Sequence, residues 1–237
     1  MAMIAYGDAD AAAFAGERHL GDDGLSAWRS AVGRFVRPGG RILDLGAGTG
    51  SWARSFRSWW PETEVVAVEP AVAMRDRAVF EPVVAGDAAD IPLPDGSVDV
   101  VWMSTVIHHV PDLRAAAVEI RRVLAPGGVV LVRGVFRGRH QGINQFRFFR
   151  EAVAVLDGYP SVDEVVDAGF TLVALESVSQ VSAPSVRAAF DGLIREAHTP
   201  LQLISDEAYA AGVERMRIAA DEETGPMIDV LDLLVLR

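Results

Sequence analysis

The stretch that most restricts this chain is Ile42–Gly50, ILDLGAGTG. An apolar strand runs into three glycines at alternate positions, behind the acidic Asp44 and after the loop RPGGR. Bare backbone at Gly46, Gly48 and Gly50 lets ligand atoms approach the main chain. The helix predicted to follow offers free N–H groups at its start. A dinucleotide turn needs Gly-x-Gly-x-x-Gly or a terminal Ala, yet the sixth residue counted from Gly46 is Ser51. Asp44 argues against a pyrophosphate too: its charge would face two phosphates, whereas it suits an ammonium or a sulfonium. A nicotinamide oxidoreductase is opposed on both grounds, and no Tyr-x-x-x-Lys pair is evident.

Downstream, apolar runs alternate with helical patterns. EVVAVE, PVVAGD, SVDVVWMS and GVVLVRGV read as strands without inside–outside alternation, which implies a parallel sheet buried on both faces. Helical spacing is predicted over residues 22–36, along SWARSFRSWW, from Ala71 to Val79, and in DLRAAAVEIRRVL with Asp112 as N-cap. After Val135 the rhythm changes. A loop and helix, a capping box at Ser161 and Glu164, the strand FTLVALESVSQVS, helical stretches near Ser185–Ala197 and Ser205–Ala220, and the last strand DVLDLLVLR follow. The expectation is one domain over 1–237, with a cofactor-binding core at about 38–135. The helix 22–36 and the segments at 136–228 serve as substrate or lid elements.

Two carboxylates fall where such a sheet meets a ligand. Glu69 ends a strand roughly 20 residues past the glycines, where an acid accepts both ribose hydroxyls, and Pro70 pins the turn after it. Asp87 in AGDAAD is placed to accept from an adenine amino group, or else it is a turn former or helix cap.

In this order and spacing, ILDLGAGTG, VVAVEP, AGDAADIPLPDGSVDVVWMSTVIHHV and RVLAPGGVVLV resemble the class I S-adenosylmethionine-dependent methyltransferases, over about residues 38–135. The likeness is to the small-molecule branch of quinone and natural-product biosynthesis. It implies a Rossmann-like α/β fold, a doubly wound seven-stranded sheet whose last strand is antiparallel, with helical lid insertions. It implies S-adenosyl-L-methionine as cofactor, with Asp44, Gly46, Ala47, Gly48 and Gly50 at the methionine moiety. Glu69 and Pro70 then sit at the ribose, Asp87 and Ala88 at the adenine, and Ser104 near the sulfur. The family counterpart of Asp99 is structural.

The acceptor lies outside that likeness. His108 is a candidate general base, with helix-start packing as the ordinary alternative for it and for His109. His19 and His140 either face the substrate or are surface histidines. Gly134–Arg150 holds Arg137, Arg139, Arg147 and Arg150 and no acid; Arg137 and Arg139 are candidates for an anionic substrate, or the stretch is a solvated helix face. Trp52, Phe56, Trp60 and Trp102 read as core.

The expected function is methyl transfer to oxygen or carbon of a small molecule. The alternative is cofactor binding without transfer, as in a cyclase or binding module. With 22 basic and 33 acidic residues the net charge is −11, which disfavours nucleic acid and anionic membranes as partners. The MSTVIHH block also differs from the Asn/Asp-Pro-Pro-aromatic block of methyltransferases acting on nucleobases. Cysteine is absent, and no ordered His/Asp/Glu set suggests a metal. The N-terminal residues lack a basic n-region and no apolar run approaches the roughly 18 residues of a membrane span, so a cytoplasmic protein is expected. A homodimer is left open.

Overall fold

The computed structural model describes Ala12 and residues 20–237; His19 lies outside the described residues. The unbroken apolar runs become the centre of a seven-stranded sheet of order β3-β2-β1-β4-β5-β7-β6. Its strands are β1 (Arg41–Leu45), β2 (Glu64–Glu69), β3 (Val83–Ala85), β4 (Val98–Ser104), β5 (Leu124–Gly134), β6 (Leu172–Ala183) and β7 (Met227–Leu236). The first five pair in parallel, and β7 enters antiparallel between β5 and β6. This is the sheet that the resemblance implied.

Successive residues of a strand point to opposite faces, and β4 shows why the sheet needs cover on both. Val101 and Met103 join one buried cluster with Leu43, Val68 and Ile120. Val100 and Trp102 join another with Trp28, Val32 and Phe56. The second cluster is aromatic: Trp102 stands edge-on to Trp28, Trp52 and Phe56 at 5.9, 5.0 and 5.6 Å. Such pairs add about 0.5–1.5 kcal/mol each beyond burial.

The helices are α1 (Asp22–Gly33), α2 (Ser51–Trp59), α3 (Val72–Arg75), α4 (Leu113–Val123), α5 (Asn144–Phe148), α6 (Val162–Asp167), α7 (Val186–Asp191), α8 (Thr199–Gln202) and α9 (Asp206–Glu222). Local signals hold where they were read. Asp112 accepts from the N–H groups of Arg114 and Ala115, and Ser161 with Glu164 forms the reciprocal box. Two helices are shorter than their patterns. The stretch from Ala71 gives a single turn, because Val79 turns away to donate to the Thr49 carbonyl of the glycine loop at 2.8 Å. The stretch from Ser185 stops at Asp191, capped by Gly192.

A third cluster joins the elements after β5 to those after β6, through Phe148, Phe149, Leu156, Leu201 and Met216. Gly212 in α9 allows that closure: a Cβ there would lie 2.1 Å from Phe149 Cδ1. Phe149 is 1% exposed and stacked on Tyr209 at 5.5 Å, so it has nowhere to go. Gly212→Ala should therefore destabilise the protein. Overpacking costs about 1–3 kcal/mol and offsets the gain of about 1 kcal/mol in helix propensity; a denaturant midpoint equal to or above wild type would refute this.

Candidate functional site

The chain leaves β1 and turns through Gly46, Gly48 and Gly50 at φ values of +72, +58 and +80°. Two of these turns leave no room for a side chain. A Cβ on Gly46 would meet Val106 Cγ2 at 2.4 Å, and one on Gly50 would meet Phe80 Cβ at 2.8 Å. Val106 belongs to the segment after β4, so the missing Cβ brings the β1 turn and the β4 turn into contact. Gly46→Ala combines a left-handed backbone with this clash. Its expected cost is about 2 kcal/mol or more, read as a lowered Tm.

Gly50 precedes α2 and has no side chain to cap it. Asp44 does so from within β1: its Oδ2 accepts the Ala53 N–H at 3.0 Å. The carboxyl is 1% exposed. Burial pushes its pKa up from 3.8 to about 7; the Ala53 bond opposes that shift and the charge of Glu69 adds to it.

Glu69, at the end of β2, closes on the same loop. Its Oε2 accepts from Gly48 N at 2.9 Å and its Oε1 from Ala71 N at 2.8 Å. Burial raises its pKa, while those two bonds and the nearby Arg75 pull it down. Arg75 also donates to the carbonyls of Glu69 and Pro70, both at 2.7 Å. Asp87 is exposed, and its Oδ1 accepts its own turn's Ala89 N–H at 2.7 Å. That is the turn-forming role weighed for it, while Ala88 beside it is half-buried.

At the end of β4, Ser104 accepts from Arg133 of β5 at 3.1 Å. Thr105 then adopts φ +53°, a left-handed conformation rare for a β-branched residue. Such strain gathers at ligand sites and persists only where neighbours hold it; here the Thr105 N–H is tied to the Arg133 carbonyl at 2.7 Å. His108 follows in a short 3₁₀ turn, its ring parallel to Tyr159 at 4.1 Å.

These turns open onto a cavity of about 690 Å³. One end is lined by Gly46, Ala47, Ser51, Ser104, Thr105 and His108. The other is lined by the third cluster, with Phe146, Phe149, Leu201 and Met216. Asp44, Glu69 and Asp87 do not line it, because their carboxyls are turned onto backbone N–H groups.

The arginines singled out after β5 are turned elsewhere. Arg137 pairs with Glu164 at 2.5 Å and Arg139 is bidentate to Asp232 at 2.5 and 2.9 Å. Arg147 pairs with Glu223. His140 packs edge-on to Phe146 at 5.8 Å. Neither Arg137, Arg139 nor His140 lines the cavity. The acids that hold these arginines lie far along the chain, which is why an acid-free stretch looked uncompensated.

Arg133, Tyr159, Gln180 and His198 do line the cavity and went unnoticed in the sequence. Only Arg133 left a trace there, as a lone charge inside the apolar run of β5. Trp52, expected in the core, is only half-buried and lies on the cavity wall. Asp99 faces the opposite end of the sheet and ties it together, accepting from Arg41 N at 2.8 Å.

Residues 43–132 match the methyltransferase domain family. Among curated relatives, the malonyl-[acyl-carrier protein] O-methyltransferase of Serratia marcescens is 34% identical over 139 residues, which is 58% of this chain and 52% of that one. The demethylmenaquinone methyltransferase of a Roseiflexus species is 36% identical over 124 residues, 48% of this chain and 51% of that one. The chain thus spans about half the length of the curated relatives it matches.

Among solved structures, a putative methyltransferase from an antibiotic biosynthesis pathway of Anabaena variabilis superimposes with a TM-score of 0.71 at 19% identity, over 90% of this chain and 97% of that one. The [4+2]-cyclase SpnF gives 0.59 at 20% identity, over 93% and 83%. At such identities the likeness is one of fold. Motif order, sheet order and family match agree: residues 43–132 match the methyltransferase domain family, and the sheet has the order of the Rossmann-like methyltransferase fold.

Proposed function

We propose that the protein is an S-adenosylmethionine-dependent methyltransferase acting on oxygen or carbon of a small-molecule acceptor. One observation carries this reading: a glycine turn with no room for a side chain at Gly46 opens directly onto a cavity of about 690 Å³. A cofactor on the turn and an acceptor in the cavity would share the boundary at Gly46, Ala47 and Ser104.

The residues present fit the group. Glu69 spends one lone pair of each oxygen on Gly48 and Ala71, and a carboxylate has about four acceptor sites, so both ribose hydroxyls can be received. Asp44 suits the cationic end of the ligand, near the backbone of Gly46, Ala47, Gly48 and Gly50. Pro70 holds the turn beside Glu69, Asp87 and Ala88 take the adenine edge, and Ser104 lines the boundary near the sulfur. S-adenosylmethionine, when bound, supplies a methyl group on a positively charged sulfur. The chain's own part is alignment and exclusion of water, given by the third cluster and the helices around it acting as a lid. His108, which lines the cavity, is the base for an acceptor that must lose a proton.

The names of the relatives, a malonyl-[acyl-carrier protein] O-methyltransferase and a ubiquinone/menaquinone biosynthesis C-methyltransferase among them, favour oxygen or carbon acceptors. The net charge of −11 argues against a polyanionic acceptor. Among the described residues no helix is long and apolar enough to cross a membrane, and a cytoplasmic enzyme fits that. The test is calorimetry with S-adenosylmethionine, followed by assay of S-adenosylhomocysteine release against an acceptor panel. No heat at saturating ligand refutes the reading; binding without turnover on any acceptor favours a non-transferring member of the fold.

A further inference from the structure

The only acid among the described residues of the cavity wall is Asp229. It leaves β7 on the same face as Met227 and Leu231, which also line the cavity. Its structural task uses one oxygen. Oδ1 accepts from the backbone N–H and the side-chain amide of Asn144, the first residue of α5, at 2.8 and 2.9 Å. Oδ2 has no donor among the described residues. The residue is half-buried between apolar neighbours, where a polar atom without a partner is costly.

Gln180 stands directly across from it, paired in the β6–β7 register. Residues opposed in this way hold their Cβ atoms about 4.5–5.5 Å apart on one face of the sheet. Gln180 is 6% exposed and lines the cavity. Its Oε1 accepts from Trp28 Nε1 at 2.8 Å and from Arg133 at 2.6 Å. Two donors on one oxygen settle which end of the amide is nitrogen. Nε2 is left with no acceptor among the described residues. The guanidinium bonded to the oxygen also polarises the amide and strengthens its N–H groups as donors.

Gln145, beside Asn144 in α5, brings a second amide to the same wall; its Nε2 is buried with no partner among the described residues. Buried polar groups without partners are rare and point to a missing ligand or water. The wall thus sets amide donors that lack an acceptor next to a carboxyl oxygen that lacks a donor. A hydroxyl satisfies both, since it gives one proton and receives at its lone pairs. A carboxylate sets like charge beside Asp229, an ammonium cannot accept from Gln180, and an ether gives nothing to Asp229. Around the pair the cavity is apolar, formed by Val135, Phe146, Phe149, Leu193, Leu201 and Met216.

We propose that the acceptor carries a hydroxyl on an apolar body, and that Gln180 and Asp229 together receive that hydroxyl. Gln180 Nε2 donates to its oxygen and its O–H donates to Asp229 Oδ2, while the body fills the apolar end. The inference rests on the methyltransferase reading and sharpens its substrate class. The pair serves recognition and carries no step of the transfer.

The test uses the full chain saturated with S-adenosylhomocysteine and four probes that share one body: 4-phenyl-1-butanol, its methyl ether, 4-phenylbutyrate and 4-phenylbutylamine. Calorimetry at pH 8 should place the affinity of the alcohol about tenfold above that of each other probe. Asp229→Asn keeps an oxygen for Asn144 and puts a donor where Oδ2 stood. The advantage of alcohol over ether should therefore vanish in this variant, with S-adenosylhomocysteine still bound. If the variant does not fold, the ranking of the four probes in the wild-type protein decides alone. An alcohol that does not bind, or one less than about threefold tighter than any other probe, overturns the proposal. So does an advantage over the ether that a folded Asp229→Asn retains. A tighter amine would make Asp229 a site for cations instead. Failure to bind S-adenosylhomocysteine at all would strike at the methyltransferase reading.

Discussion

Asp44→Asn should leave the ligand-free protein more stable than wild type at pH 8, and poorer at holding S-adenosylmethionine. The carboxyl is enclosed at the end of β1, and burial lifts its pKa from 3.8 to about 7. The folded state therefore keeps a proton that the unfolded chain gives up near the lower value. The stabilisation from that retained proton is complete below pH 3.8 and drains away as pH rises through about 7. At 1.36 kcal/mol per pKa unit, a shift of this size costs the wild-type fold on the order of 4 kcal/mol by pH 8.

Asparagine does not ionise and still offers an oxygen to the Ala53 N–H, so it escapes this loss. Denaturant unfolding of both proteins between pH 4 and 8 should show the gap opening with pH; parallel curves would contradict it. Binding should run the other way. A cation beside Asp44 favours the ionised carboxylate, so wild-type affinity for S-adenosylmethionine should climb between pH 6 and 8 with proton release. The variant should lack that climb.

The second large effect is expected at Glu69. Glu69→Ala should weaken S-adenosylmethionine and S-adenosylhomocysteine alike, by about 100-fold or more, because the two ligands share the ribose. Hydrogen bonds to a charged group contribute about 1.5–3 kcal/mol each, and the proposal gives Glu69 two of them. At about 1.4 kcal/mol per tenfold, losing both accounts for that range. The same substitution takes the acceptor from Gly48 N and Ala71 N, which loosens the turn on the ligand side. It also relieves a buried carboxylate whose pKa is raised by its burial. These two effects on folding oppose one another, so affinity is the sensitive measurement and Tm is not. A dissociation constant within about threefold of wild type would remove Glu69 from the cofactor site.

How much of this was legible in the sequence depends on how local the physics is. The caps at Asp112 and Ser161 span two or three residues, and they were read correctly from neighbours alone. The β1–glycine–α2 passage is similarly local, because backbone conformation and Cβ clearance single out glycine there. Helix lengths were less legible. The turn after Arg75 ends because Val79 finds Thr49, a partner thirty positions earlier.

The arginines show the limit most clearly. Arg137 and Arg139 looked uncompensated because Glu164 and Asp232 stand 27 and 93 positions away. Arg133 stood out only as a lone charge in an apolar strand, because Gln180, to which it donates, is 47 positions distant and Trp28 reaches that same amide from 152 positions away.

The sequence by itself determined the order of strands and helices, the parallel character of the central sheet and the place of the glycine turn. Each follows from hydrophobic period and backbone sterics acting over a few residues. Only the tertiary structure decided which cations face the cavity, which acids are turned onto backbone amides and where the apolar end lies. Those outcomes depend on charges and rings finding one another across the whole chain, and no local pattern records which pairs will meet.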